Sequence, residues 1–360
     1  MKVKPYLEHL ARESYVEGEP AKGQGELLDC SLGINPFGVS PKALEAAHEF
    51  NWSNVRCYPD PTYGDLRGAI CKFWLGLADL EVGQIQIAPG AAAALERLNK
   101  IFIEPGSKVL GYSPQFTEYV TEVEACGGKY EAVVLNPEED FKFYVERLLA
   151  RIGEEYCLIY IDNPNNPTGQ VIDLEEIEKI IQQAKTKDVA VVVDEAYADY
   201  IGEENSAVNL MNKYKNLVVV RSFSKGFGLA GLRVGYGVFS SELSRYYQKI
   251  NLPFSVSSVG CYLAREALLD QEFIYDCRAK VQREKRRLIQ GLRGRGYLIS
   301  ETWESCPIFV LGDKDKDIDL REALLGSGIL TVKGMDFRNL GNNYVRVNTP
   351  AKAEEFLSRL

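Results

Sequence analysis

The stretch Leu217-Val218-Val219-Val220-Arg221-Ser222-Phe223-Ser224-Lys225-Gly226-Phe227-Gly228-Leu229-Ala230-Gly231-Leu232-Arg233 sets an apolar run ahead of two hydroxyls, a lysine, a glycine-rich turn and an arginine. That order suits a lysine held at the end of a buried strand with anion-binding groups on both sides. Burial disfavours the ammonium form, lowers the pKa and leaves a free amine able to condense with a carbonyl carbon. Hydroxyls and an arginine beside it suit a phosphate. An amine nucleophile next to a phosphate site is what pyridoxal 5'-phosphate (PLP) requires.

Working outward, apolar strand-like segments at residues 85–88, 108–112, 130–135, 157–161, 189–193 and 217–220 alternate with helical periodicity at 91–103, 116–126, 144–152, 174–186 and 207–215. Continuous apolar strands separated by amphipathic helices imply an α/β fold with a mostly parallel sheet between layers of helices. Past residue 251 the texture changes. A long charged helical region over 263–294 precedes strand-like alternation at 308–311 and 344–347, which reads as a smaller α+β domain. The expected division is an N-terminal arm joining the small domain (residues 1–40), a large PLP-binding domain (41–250) and a small C-terminal domain (251–360).

The 360 residues suffice for two domains, and 46% hydrophobic with 26% charged content is ordinary for a globular protein. A net charge of −9 and a pI near 5.1 argue against nucleic acid and anionic membranes as partners. No apolar run reaches the length of a membrane span, and no signal-peptide core follows Met1-Lys2-Val3-Lys4-Pro5, so a cytoplasmic location is expected. The eight cysteines are scattered without a CxxC and read as reduced core thiols. His9 and His48, the two histidines, stand outside any motif, so no metal site is expected.

In α/β sheets ligand groups gather at the carboxyl ends of strands. Here residues 157–161 run into Asp162-Asn163-Pro164-Asn165-Asn166-Pro167-Thr168-Gly169, 189–193 into Asp194-Glu195-Ala196-Tyr197, 217–220 into the lysine motif, and 85–88 into Pro89-Gly90-Ala91-Ala92. With Tyr58-Pro59-Asp60, Pro114-Gln115-Phe116 and Tyr344-Val345-Arg346-Val347, these motifs make the chain resemble a fold-type I PLP enzyme of the class I/II aminotransferase group. The resemblance runs from about residue 30 to residue 348. Ile34-Asn35-Pro36-Phe37-Gly38 and Cys57-Tyr58-Pro59-Asp60-Pro61 are similar to the branch holding histidinol-phosphate aminotransferases and threonine-phosphate decarboxylases.

The resemblance implies a role for each motif residue. Lys225 would hold the cofactor covalently and move the substrate's Cα proton. Asp194 would face the pyridine nitrogen, and Tyr197 and Asn166 would donate to the phenolate oxygen. Phe116 would stack on the ring. Ser222, Ser224 and Arg233, with the amides of Gly90, Ala91 and Ala92 at a helix start, would hold the phosphate. Tyr58 would reach that phosphate from a neighbouring subunit, implying a homodimer with a shared active site. Arg346 would bind a substrate carboxylate or other anion as a fork, with Asn35 and Lys333 as further substrate contacts. The blander readings are a helix cap for Asp194, a core aromatic for Phe116 and an exposed strand charge for Arg346.

Three features depart from the pattern. The helix after Gly90 begins with four alanines, so phosphate binding there would rest on backbone groups alone. Lys333 stands where relatives often carry an arginine, and the histidine-glycine-glycine that often opens the decarboxylases is absent. Gly226-Phe227-Gly228-Leu229-Ala230-Gly231 satisfies GxGxxG, yet the strand-like 234–239 follows it instead of a helix, which argues against a nicotinamide dinucleotide site. The expected activity is PLP-dependent amino transfer between an amino acid or amino-phosphate and a 2-oxo acid by a ping-pong mechanism. The alternative is decarboxylation of a phosphorylated amino acid. A catalytically silent, DNA-binding regulator would need a further domain for which the chain has no residues to spare.

Overall fold

A computed structural model describes residues 2–8, 10–11, 14 and 27–360. His9 and residues 15–26 of the expected arm lie outside the described residues. Strand β1 (Leu28–Asp29) comes first. β2 (Ile85–Ala88), β3 (Lys108–Ser113), β4 (Lys129–Val134), β5 (Tyr156–Asp162), β6 (Ala190–Asp194), β7 (Leu217–Ser222) and β8 (Gly235–Val238) then form a seven-stranded sheet in the order β2-β8-β7-β6-β5-β3-β4. Only β8 runs against its neighbours, β2 and β7; the other pairings are parallel.

The apolar runs are continuous because both faces of this sheet are covered. Val191, Val193, Leu217 and Val219 enter one core, whereas Val192, Val218 and Val220 enter the other. Helix Leu174–Thr186 packs Ile177, Ile180, Ile181 and Ala184 on the first face, with Glu175 and Glu176 in its first turn and Lys185 in its last. Each of those buried isoleucines contributes roughly 1.5–3 kcal/mol by leaving water. Helix Ala91–Phe102 packs Ala94, Leu95 and Leu98 on the opposite face.

β9 (Leu298–Ile299), β10 (Ile308–Gly312), β12 (Val332–Lys333) and β13 (Tyr344–Asn348) make a four-stranded antiparallel sheet, and β11 (Ile329–Leu330) pairs in parallel with β1. The segment preceding the large sheet is thereby tied to the C-terminal part. β8 follows the glycine-rich turn after Lys225, and the GxGxxG run opens only a short 3-10 turn, Ala230–Leu232, not an α-helix.

Three helical expectations change. The region 263–294 splits into Ser258–Ala267 and Gln271–Gly294. Asp270 at the break accepts from Ser40 Oγ at 2.7 Å and Lys42 N at 3.1 Å, so it anchors the start of helix Pro41–Glu49. Residues 207–215 keep one 3-10 turn, Ala207–Leu210, because Ser206 Oγ and Ala207 N both donate to the Glu195 carboxylate and fix the chain there. Residues 144–152 shorten to Val145–Leu149. Of the cysteines, Cys30, Cys277 and Cys306 are buried as expected for core thiols, whereas Cys57 is exposed.

Candidate active site

The carboxyl ends of β2, β3, β5, β6 and β7 open onto one cavity of about 310 Å³. Of the residues expected in the site, Ala91, Ala92, Phe116, Asn166, Asp194, Tyr197, Ser222, Ser224, Lys225 and Arg233 line it. Lys225 Nζ donates to Gly33 O at 2.6 Å and lies 4.9 Å from the centre of the Tyr197 ring. Burial, and then the positive charges of Arg346 and Arg233, push its pKa down to about 7. The amine is therefore available as a nucleophile and base near neutral pH.

Asp194 ends β6 with its carboxylate buried. Tyr160 Oη donates to Oδ2 at 2.9 Å and Ala196 N to Oδ1 at 3.0 Å. Burial, followed by the charge of Asp162, pushes its pKa up to about 7. Asp162 ends β5 and is held by Tyr112 Oη (2.8 Å), Gln115 Nε2 (2.8 Å) and Asn166 N (2.9 Å). The turn carrying Asn166 is thus pinned to the end of its own strand. Asn166 Oδ1 accepts from Arg346 Nη1 at 2.8 Å, and Arg346 Nη2 donates to Ser31 O at 2.6 Å. Arg346 is 1% exposed, which removes the reading of a solvated strand charge.

On the other side of the cavity, Arg233 has a left-handed backbone (φ 53°) and directs Nη1 to Ser224 Oγ at 3.3 Å and Ala230 O at 2.9 Å. Gly90 precedes the first turn of helix Ala91–Phe102 and offers no side-chain cap, so that turn's amides keep their capacity for an anion. Beneath Lys225, Arg221 pairs with Glu195 and Asp199, each at 2.7 Å, and lies 5.1 Å from the Trp74 ring. Asp199 Oδ2 in turn accepts from Gly226 N at 3.2 Å, fixing the turn after the lysine.

None of the three expected substrate contacts lines the cavity: Arg346 meets it only through Asn166, and Asn35 and Lys333 turn elsewhere. Asn35 Nδ2 donates to Gly226 O (2.7 Å) and Cys277 Sγ (3.3 Å), and its Oδ1 accepts from Phe37 N (2.9 Å). Its amide supports the lysine turn from below. Lys333 pairs with Val345 across β12 and β13, one position from the Val332–Arg346 pair, so its side chain leaves the sheet on the face opposite Arg346. Tyr58 is 84% exposed, outside the cavity of its own chain, with its ring 5.0 Å from that of Phe254. Gly33, Tyr160, Asp162 and Glu118 were not singled out for the site; Gly33 O and Tyr160 Oη bond Lys225 and Asp194, while Asp162 and Glu118 line the cavity.

A depressed amine, a buried carboxylate, two serine hydroxyls with an arginine at a helix start, and an amide with a phenol fit the aldehyde, ring nitrogen, phosphate and phenolate of PLP. The profile of the family described as "Aminotransferase class I and II" matches residues 26–360. The chain belongs to the class I and II aminotransferases. Within the family, it is 30% identical over 364 residues to the histidinol-phosphate aminotransferase of Methanocaldococcus jannaschii, covering 100% of this chain and 95% of that one. It is 31% identical over 357 residues to the Halorubrum lacusprofundi enzyme of the same name, covering 96% and 93%. The crystal structure of the Sinorhizobium meliloti histidinol-phosphate aminotransferase in complex with PLP matches the fold with a TM-score of 0.83 at 23% identity, covering 99% of this chain and 95% of that one. As an aminotransferase, the protein is an enzyme acting on small molecules. Among the described residues no helix is long and apolar enough to cross a membrane.

Proposed function

We propose that this aminotransferase moves an amino group from histidinol phosphate, or a closely related amino-phosphate, to a 2-oxo acid, with PLP as cofactor. The observation that carries the reading is one cavity joining a lysine whose pKa is pushed down to about 7, a buried carboxylate and two arginines, one lining it and one reached through Asn166. The names of the relatives support the donor and favour transfer over decarboxylation.

Bound in the cavity, PLP supplies an electron sink that stabilises negative charge on the substrate Cα. Lys225 would anchor it, and its Nζ would hold the substrate's Cα proton. Asp194 keeps the ring nitrogen protonated. Asn166 and Tyr197 donate to the phenolate oxygen, and Phe116 packs on the ring. Ser222, Ser224, Arg233 and the amides of Gly90, Ala91 and Ala92 hold the phosphate. Arg346 presents its planar fork to the substrate anion. The keto product leaves before the 2-oxo acid enters, giving ping-pong kinetics. In this reading the enzyme is a cytoplasmic homodimer in which Tyr58 serves the partner's site, with an arm (1–40), a large domain (41–250) and a small domain (251–360).

The test is a half-reaction screen of amino donors on PLP-loaded protein without acceptor. Histidinol phosphate should give up its amino group stoichiometrically and faster than unphosphorylated amino acids. Release of carbon dioxide without a keto product, or no preference for the phosphorylated donor, would overturn the reading. Borohydride reduction of the loaded protein followed by peptide mapping should place the cofactor on Lys225.

A further inference from the structure

Lys285 lies in the middle of helix Gln271–Gly294, fully buried, and among the described residues it pairs with no carboxylate. Its Nζ donates to Thr302 Oγ1 at 2.5 Å, Trp303 O at 2.9 Å, Cys306 O at 2.7 Å and Ile308 O at 3.0 Å. Burial pushes its pKa down to about 7, so the socket holds by geometry rather than by charge: with at most three hydrogens for four converging oxygens, one hydrogen is shared between two of them. Burying a lysine nitrogen among backbone carbonyls is costly unless the contacts organise something that apolar packing would not. Here they gather the loop 302–308 onto a single point.

That loop has two limbs, and both end at the substrate fork. On one side Trp303 N donates to Gly169 O at 2.9 Å, and Ser300 Oγ to Thr168 O at 3.3 Å. Gly169 (φ +72°) sits so close that a Cβ there would lie 2.1 Å from Ile308 O and 2.7 Å from Thr302 Oγ1. The turn so clamped is the one that presents Asn166 to Arg346 Nη1. On the other side, Pro307 O accepts from Thr349 N at 2.8 Å, and β10, which begins at Ile308, pairs Val310 with Arg346 itself. One buried lysine nitrogen therefore ties together both the Asn166 turn and the strand that carries Arg346.

We propose that Lys285 is a positioning residue for the reaction, setting the separation of Asn166 and Arg346 and hence the grip on the substrate anion, without touching substrate or cofactor. This rests on Arg346 being the substrate fork. Misplacement of a binding group from a distance costs about ten- to a hundred-fold in such sites. Lys285→Met keeps the length of the side chain and removes the donors. It should raise KM for the amino donor and for the 2-oxo acid about tenfold or more, with kcat much less affected. The PLP absorbance and labelling at Lys225 should be retained, and Lys285→Arg should restore KM in part. Thr302→Val, which removes one of the four acceptors, should shift KM in the same direction by less and covers the case where Lys285→Met fails to fold. Unchanged KM in folded Lys285→Met, or in Thr302→Val if that is the variant that folds, overturns the proposal. So does a loss of activity that follows only the loss of folded protein. Arg346→Gln is measured in parallel: if it leaves KM unchanged while Lys285→Met raises it, the fork assignment fails and not the coupling.

Discussion

At Asp194 and Lys225 the same low-polarity cavity pushes two groups in opposite directions, each to about 7. A free aspartate titrates near 3.9 and a free lysine near 10.4. In cofactor-free protein, folded Asp194 keeps a proton that the unfolded chain releases at about pH 4, so its contribution is present below that pH and is lost as pH rises through about 7. Folded Lys225 lacks a proton that the unfolded chain retains, so its contribution grows as pH rises from about 7 towards about 10. Asp194→Asn isolates the first effect. Thermal unfolding of cofactor-free wild type and variant should give similar Tm values at about pH 4 and a gap that opens in the variant's favour up to about pH 7. A gap independent of pH would refute the assignment. In PLP-loaded enzyme the same change should lower turnover by about a hundred-fold or more, since a fixed charge facing the reacting system is removed. Both residues were legible in the sequence because Asp194 closes one apolar strand and Lys225 follows another within a few positions. Gly33 was not, because its carbonyl reaches Lys225 across 192 positions. Asn35 and Lys333 were misplaced for a related reason: motif position gave their neighbourhood but not the hydrogen bonds or strand register that turn them away from the cavity.

Where strands and helices meet, the site depends on how closely backbone can approach backbone. β8 packs beneath the start of helix Ala91–Phe102 at Gly235, where a Cβ would lie 2.6 Å from Gly90 C, 2.7 Å from Ala91 N and 2.8 Å from Arg221 O. No flexible side chain is present among those atoms to yield. Gly235→Ala must therefore push the helix start away from β7 and displace the amides proposed to hold the phosphate. The expected result is a stability loss of about 1–3 kcal/mol in denaturant unfolding. PLP should dissociate more readily, with Kd from fluorescence titration raised about tenfold or more, while substrate KM at saturating PLP changes little. Unaltered PLP affinity would mean that the phosphate is held elsewhere. Elements of this sheet were legible because both faces are covered, which leaves uninterrupted apolar runs such as Val191-Val192-Val193. The order β2-β8-β7-β6-β5-β3-β4 was not, since strand neighbours are chosen by crossover helices and by the reversal at β8. The break at Asp270 was also hidden: its helical periodicity is sound, and only the distant Ser40 and Lys42 decide that its carboxylate is used elsewhere.

For the molecule as a whole, Tyr58 poses the question of how many chains make one site. It is 84% exposed and belongs to a surface region with Phe254 at 42% and Leu252 at 66% exposure, a concentration of apolar side chains that water alone disfavours. If Tyr58 completes the phosphate site of a second copy, two inactive proteins should repair each other. A Lys225→Ala subunit has a dead site but an intact Tyr58 to lend. A Tyr58→Ala subunit has an intact Lys225 but nothing to lend. In the mixed dimer the site built on the Tyr58→Ala subunit receives Tyr58 from its neighbour and is complete. Random exchange of equal amounts should make about half the dimers mixed, each with one complete site of two, so activity should rise to about a quarter of wild type. The readout is amino-transfer rate at limiting PLP, where a missing phosphate contact has most effect, followed through subunit exchange under mild denaturant. Light scattering on the same samples shows whether they are dimers before and after exchange. If Tyr58 acts within its own chain, no mixed dimer contains a complete site and activity stays at the sum of the separate variants.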